Sequence, residues 1–204
     1  MRLIKQGTMA NQGNDKQIKK SYASKGVFPH QMAFTLLFPI RNIFLSPKRL
    51  VERLELQDNM NVLEIGPGPG YFSIRIARQL THGKLVLADI QQEMLDYAKK
   101  RITRKNLSNV AYHLCNGTDF SLPDNSFDRI FMVTVIGEVE NKEPYVNEFR
   151  RMLREGGIVS ISEMAGDPDK LSINEVKSLF ENSGFDFCKM FGNERNYTIN
   201  FRKI

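Results

Sequence analysis

Eleven residues, Val62-Leu63-Glu64-Ile65-Gly66-Pro67-Gly68-Pro69-Gly70-Tyr71-Phe72, constrain this chain more than any others. An apolar run holding one acid reads as a buried strand. It breaks into glycines, and Ile74, Ala77 and Leu80 then follow at helical spacing. The segment is therefore a strand, a tight glycine turn and the start of a helix. Such a turn admits a ligand close to the backbone, and the helix N-terminus behind it presents unpaired N–H groups. Small-molecule cofactors are held in this way.

Spacing decides which cofactor. The dinucleotide fingerprint places its last glycine at the sixth position, where helix packs on strand. Tyr71 occupies that position here, which argues against NAD or FAD. A P-loop would need Lys-Ser/Thr at the end of the turn, and none is present. The segment resembles the first motif of the class I S-adenosylmethionine-dependent methyltransferases, acidic-x-Gly-x-Gly-x-Gly, with Glu64, Gly66, Gly68 and Gly70 in the matching places. The resemblance implies that Glu64, Gly66, Pro67, Gly68 and Gly70 line the cofactor site. Glu64 in particular is a charge on a central strand that must find a partner, and the cofactor's ammonium is the expected one.

Two further segments support this family over an ordinary glycine-rich turn. Lys84-Leu85-Val86-Leu87-Ala88-Asp89-Ile90 reads as a second strand ending in an acid, nineteen residues beyond Gly70. An acid about 20 residues on is placed to accept from ribose hydroxyls, so Asp89 and Ile90 join the cofactor set. Leu122-Pro123-Asp124-Asn125-Ser126-Phe127-Asp128 is similar to the stretch leading into the fourth strand of many small-molecule methyltransferases. In that family the loop before it borders the adenine. Counting back places Thr118 at the position of the adenine-binding acid and Asp119 one residue later. Asp119 is the expected contact, with Phe120 packing nearby.

The resemblance covers about residues 45 to 204. It implies an α/β fold: a Rossmann-like, seven-stranded, mostly parallel sheet with helices on both faces and a C-terminal antiparallel hairpin, plus an N-terminal helical extension. Ser46-Pro47 reads as an N-cap with proline at the first helical position. A helix over 91–105 ends in a basic cluster, read as a solvated terminus. The helix from Lys142 to Arg154 is expected to stop at Gly156-Gly157, and the fifth strand to run from Ile158 to Met164. Ser172 and Glu175 form a capping box for the helix 172–183. Phe185–Phe191 and Tyr197–Arg202 read as strands joined by a five-residue loop.

Charge and composition narrow the function. The net charge is +6, but residues 1–25 carry +5 of it, leaving a body at +1. A nucleic-acid enzyme is expected to carry its basic surface on the folded body, and the Asn/Asp-Pro-Pro-aromatic motif of base-amine methyltransferases is missing after the fourth strand. Nucleic acid is therefore an unlikely partner. The favoured function is methyl transfer from S-adenosyl-L-methionine, giving S-adenosyl-L-homocysteine, to an unidentified small-molecule acceptor, an apolar one among the options. An RNA methyltransferase and a cofactor-binding protein without turnover are the alternatives. Glu138 and Glu163, at strand ends, are the candidate bases, with His30 and Tyr197 as gate residues; a base is needed only where the acceptor is protonated. Cys115 and Cys188 read as buried free thiols of a cytoplasmic protein. No paired Cys/His spacing suggests a metal.

The N-terminus divides in two. Residues 1–25 form a basic, polar tail, and 26–45 an apolar segment interrupted by Pro39 and Arg41, too short for the ~20 residues of a membrane span. That segment is expected to cover the cleft of the 46–204 domain as a lid; peripheral lipid contact is its alternative. Deleting residues 1–20 is expected to leave cofactor binding and turnover nearly intact, whereas deleting 1–45 abolishes turnover and leaves weak binding. Full activity in the longer deletion, read with methyl-labelled cofactor, would refute the lid.

Overall fold

The computed structural model describes residues 45–117 and 119–204. The tail, the apolar segment up to Phe44 with His30 in it, the helical extension and Thr118 lie outside the described residues.

The element order is α1 (Pro47–Arg53), β1 (Asn61–Ile65), α2 (Ser73–Gln79), β2 (Lys84–Asp89), α3 (Gln92–Thr103), β3 (Val110–Leu114), β4 (Phe127–Val133), α4 (Lys142–Met152), β5 (Leu153–Glu163), α5 (Ile173–Glu181), β6 (Phe185–Asn193) and β7 (Asn196–Lys203). A 3₁₀ turn, Ile136–Glu138, follows β4. The strands form one seven-stranded sheet in the order β3-β2-β1-β4-β5-β7-β6. Neighbours from β3 through β5 pair in parallel, and β7 pairs antiparallel with both β5 and β6. This is the expected fold class. Among the described residues the third crossover, between β3 and β4, contains no helix, so the parallel part carries fewer helices than strands.

Alternation along the strands sorts the core onto two faces. Val62, Leu85, Leu87, Phe131 and Val133 pack under α1, α2 and α3 through Leu50, Leu54, Ile76, Ala77, Ala98 and Ile102. Leu63, Ile65, Ile130, Met132, Val159 and Ile161 pack under α4 and α5 through Val146, Phe149, Met152, Val176 and Phe180. Each large side chain so buried contributes roughly 1.5–3 kcal/mol.

Both predicted caps are present. Ser46 Oγ accepts from Arg49 N at 3.2 Å. Ser172 and Glu175 exchange the reciprocal bonds of a capping box, 3.2 and 2.7 Å.

Four local expectations are corrected. α4 ends at Met152, because the N–H groups of Asn125 and Ser126 satisfy the carbonyls of Arg151 and Met152. No glycine cap is needed, so β5 begins at Leu153, and Gly156, at φ 70°, lies in an irregular stretch of that strand. The hairpin is tighter than the sequence suggests: Asn193 pairs with Asn196, and Asn193 Oδ1 accepts from Arg195 N and Asn196 N. Gly192, at φ 93°, allows it, since a Cβ there would lie 2.0 Å from Asn196 O. Cys188 is exposed on β6, while Cys115 is buried.

The β5–β7 junction holds a polar seam that hydrophobic patterning does not reveal. Ser160, Ser162, Thr198 and Asn200 are all buried. Ser162 Oγ and Thr198 Oγ1 lie 2.8 Å apart, and Ser160 Oγ donates to Asn200 Oδ1. Arg53 closes the seam: its guanidinium donates to Thr198 Oγ1 at 2.9 Å, and its carbonyl accepts from Asn200 Nδ2 at 2.8 Å. The end of α1 is thereby hydrogen-bonded to the sheet.

The second core is built on aromatic stacking. Phe180 lies 4.7 Å from Phe201, 5.6 Å from Phe185 and 6.5 Å from Phe149, and is fully buried. Phe180→Ala is expected to cost about 3–5 kcal/mol, read from urea unfolding. A loss below about 1 kcal/mol would show that α5 is not held through this ring.

Candidate functional site

Strand order reverses beside β1, and open α/β sheets bind ligands at the carboxyl ends of strands next to such a reversal. The glycine turn lies there. Gly66, Gly68 and Gly70 have φ of 65°, 52° and 74°, a region costly for other L residues. Packing adds a second constraint. A Cβ on Gly66 would meet Val135 Cγ2 at 2.6 Å, and one on Gly70 would meet Ala98 Cβ at 3.2 Å. The turn is closed by Gly70 N donating to Pro67 O at 3.0 Å and tied to β2 by Gly66 N donating to Ala88 O at 2.9 Å. Arg101, read from sequence as part of a solvated cluster, instead reaches back from α3 and donates to Pro69 O at 2.6 Å.

Glu64 is buried beneath this turn, where it accepts from Ser73 Oγ at 2.6 Å. Burial pushes its carboxyl up to about 8, against the lowering effect of the Ser73 bond. Ser73, at the start of α2, is a site residue the sequence reading missed; a hydroxyl in the first turn after a glycine loop was the available signal. Asp89, at the tip of β2, is also buried, and Gln91 N donates to its Oδ1 at 3.0 Å. Burial raises it to about 6, opposed by backbone N–H groups of Gln91, Ile90 and Gly68. The Gly68 contact makes Asp89 a bridge between the second strand and the glycine turn. Ile90, half-buried, packs beside it against the core.

The loop after β3 divides its predicted residues. Asp119 is exposed at the rim, where its carboxylate accepts from Ser121 N at 2.6 Å and its own N–H donates to Asn116 Oδ1. Phe120 turns inward instead. It is fully buried against Tyr145 and Phe149, at 5.2 and 6.0 Å. Its ring therefore anchors the loop to α4.

Beyond β4 the chain approaches the loop after β5. Thr134 takes φ 54°, unusual for a β-branched residue and characteristic of functional strand ends; its N–H donates to Ser162 O at 2.8 Å. Gly137 was overlooked in the sequence. A Cβ there would lie 1.9 Å from the carbonyl oxygen of Asp169, so only glycine lets the 3₁₀ turn meet that loop. This contact brings Glu138 and Glu163 into one acidic group with Asp167 and Asp169. Burial raises Glu138 to about 7, helped by Asp167, Asp169 and Asp89. Glu163, fully buried at the end of β5, is raised to about 8, mainly by burial and then by Asp167. Tyr197 is not a gate: it is buried opposite Glu163 in the β5–β7 pair, with its hydroxyl donating to Leu171 O at 2.7 Å.

A parallel sheet with a left-handed glycine turn at its reversal and a buried acid on the adjacent strand tip defines an α/β domain built to hold a nucleoside ligand. The sequence profile described as a methyltransferase domain matches residues 56–199, and the chain belongs to that family. The ubiquinone/menaquinone biosynthesis C-methyltransferase UbiE of Hydrogenovibrio crunogenus is 30% identical over 123 residues, 59% of this chain and 48% of that protein. Phosphoethanolamine N-methyltransferase 1 of Arabidopsis thaliana is 27% identical over 166 residues, 81% of this chain and 33% of that protein. The chain thus spans about half or less of these relatives. The crystal structure of a SAM-dependent methyltransferase from Aquifex aeolicus superposes with a TM-score of 0.82 at 22% identity, over 87% of this chain and all of that one, and shares its fold.

Four buried or half-buried acids with raised values make stability pH-dependent in a defined direction. Their unfolded values lie near 4, so the unfolded chain releases these protons first. Stability from the neutral carboxyls is complete below that value and is lost as pH rises through about 6 to 8. The ligand-free chain is therefore expected to have a lower urea midpoint at pH 8 than at pH 5.5, and Glu64→Gln to shrink the difference. A midpoint rising over that interval would contradict the assignment.

Proposed function

We propose that this domain transfers a methyl group from S-adenosylmethionine to a small-molecule acceptor. The observation that carries this reading is the pairing of the left-handed glycine turn with Asp89. Gly66 and Gly70 let the turn pack directly against Val135 and Ala98, which fixes its backbone at the end of β1, and Asp89 offers carboxylate oxygens beside it. These fit a ligand with ribose hydroxyls and a nearby positive charge. Glu64, through Ser73, holds the turn from beneath, Asp89 takes the ribose, and Asp119 lies at the rim where the adenine amine is expected. When bound, S-adenosylmethionine supplies an electrophilic methyl carbon on a sulfonium. The protein's task is then alignment, which can supply much of the acceleration.

The relatives' names describe a C-methyltransferase of ubiquinone/menaquinone biosynthesis and a phosphoethanolamine N-methyltransferase, which supports an acceptor other than nucleic acid. Among the described residues no helix is long and apolar enough to cross a membrane. Two free cysteines suit a reducing compartment, and the cytoplasm is our assignment. Residues 26–45 are assigned as cover for the acceptor side and 1–25 as a solvated tail. Leu45, where the described chain begins, is already buried in the core under α1.

Calorimetry is expected to show binding of S-adenosylmethionine and S-adenosylhomocysteine and none of NAD. Asp89→Ala is expected to weaken either sulfur ligand by about 1.5–3 kcal/mol, the range for hydrogen bonds to a charged group, with the fold intact. NAD binding without a response to the sulfur ligands would overturn the reading. A screen of metabolite pools with methyl-labelled cofactor then separates transfer from binding alone.

A further inference from the structure

The peptide between Pro69 and Gly70 is the joint of the glycine turn that local backbone chemistry constrains least. The three glycine N–H groups are each committed: Gly66 to Ala88 O, Gly68 to the Asp89 carboxyl and Gly70 to Pro67 O. Pro67 and Pro69 supply no N–H at all. The plane between Pro69 and Gly70 rotates on the ψ of a proline, which the ring leaves free, and on the φ of a glycine, here 74°. Glycine takes either sign of φ at little cost. A flip of this plane is therefore easier than at an ordinary peptide.

Arg101 acts on this plane from α3. Its Nη1 donates to Pro69 O at 2.6 Å, a charge-assisted bond of the stronger kind. A trans peptide points its C=O and its N–H in opposite directions. Pro69 O held toward Arg101 thus directs Gly70 N–H the other way, where Pro67 O accepts it at 3.0 Å. The arginine contact and the bond that closes the turn are two ends of one rigid plane. Ala98, three residues earlier on α3, lets the helix come this close, since a Cβ on Gly70 would lie 3.2 Å from its Cβ. The placement is unfavourable for a cation by itself. At this end of α3 Lys99, Lys100, Arg104 and Lys105 are exposed, whereas Arg101 is half-buried. Burial lowers its pKa, and among the described residues no acid offsets that burial.

We propose that Arg101 is a positioning residue for the cofactor: it fixes the Pro69–Gly70 peptide and so keeps the glycine turn in the form that receives S-adenosylmethionine. It touches the turn and acts through it. The proposal rests on the methyltransferase reading above and adds to that site a side chain from α3, outside the strand–turn–helix segment that carries the motif. A turn that holds the receptive form a tenth of the time binds its ligand about tenfold more weakly, with every group that faces the ligand unchanged. Because the effect passes through backbone, it falls equally on the sulfonium of S-adenosylmethionine and the uncharged sulfur of S-adenosylhomocysteine. A charge acting directly on the ligand would separate the two.

The test compares the full wild-type chain with Arg101→Met, which keeps an apolar stem without donors, and Arg101→Lys, which keeps one point donor for the one carbonyl. In calorimetric titrations Arg101→Met is expected to bind S-adenosylmethionine and S-adenosylhomocysteine each about tenfold more weakly, and Arg101→Lys to recover most of that loss. The urea midpoint of the ligand-free variants separates loss of the turn from loss of the fold. Undiminished affinity in folded Arg101→Met, unequal losses for the two ligands, or no recovery in Arg101→Lys would each overturn the clamp. A wild-type reading does not depend on any variant folding. By NMR the Arg101 guanidinium protons are expected to resolve from those of the exposed arginines and to shift when S-adenosylhomocysteine is added; signals averaged with the others, or unmoved by the ligand, would also overturn it. Wild-type protein that binds neither sulfur ligand would instead overturn the methyltransferase reading beneath the proposal.

Discussion

Close approach of backbone at the glycine turn is the constraint on which the site depends. Between β1 and α2 the chain reverses through three left-handed glycines, and the space a side chain would take at Gly66 and Gly70 is occupied by Val135 and Ala98. The turn therefore fixes three separate elements: α3 through Ala98 and Arg101, the segment after β4 through Val135, and β2 through the Ala88 carbonyl and the Asp89 carboxylate. A side chain at Gly66 would have to displace Val135 in addition to straining its own backbone. Rigid placement of this kind is what a ligand-aligning enzyme requires, because misplacement by about 1 Å can cost orders of magnitude in rate.

Electrostatics at the same edge oppose the packing. Glu64, Asp89, Glu138 and Glu163 are all withdrawn from water, and burial is the main reason each carboxyl is raised. Glu64 and Asp89 are compensated by Ser73 and by backbone N–H groups. Glu163 meets the carboxyl of Asp167 instead, a hydrogen bond between like-charged groups that raises it further. The edge is thus less stable in its ionised state than an apolar equivalent, a pattern found where binding, and not folding, sets the residue choice.

The sequence carried the scaffold well, including the strand–turn–helix on which the proposed cofactor site rests. Alternating strands, helical spacing, the Ser46 cap and the Ser172–Glu175 capping box are local properties, and the structure contains all of them. Glu64, the glycines and Asp89 were legible because they lie on one continuous strand–turn–helix–strand run. The inward turn of Phe120 could not be read from the sequence, because the direction of a loop side chain depends on what lies across the gap, here Tyr145 and Phe149 on α4. The end of α4 was misplaced for a similar reason: its carbonyls are satisfied by Asn125 and Ser126, residues that precede it in the chain. Gly137 looked like an ordinary loop glycine until Asp169 was brought against it.

What the sequence determined by itself, then, was the set of elements, their order and the family motif, since periodicity, caps and glycine spacing act over a few residues. Tertiary structure alone decided that Ser73 supports Glu64 and that Arg53 closes the polar seam of β5 and β7. It also decided that Tyr197 is a core residue bonded to Leu171 and that Glu138 and Glu163 lie in one acidic group with Asp167. The physical reason is that hydrogen bonding and desolvation depend on distance in space. A carboxylate at position 163 reads the same in sequence whether water surrounds it or the end of a neighbouring strand buries it.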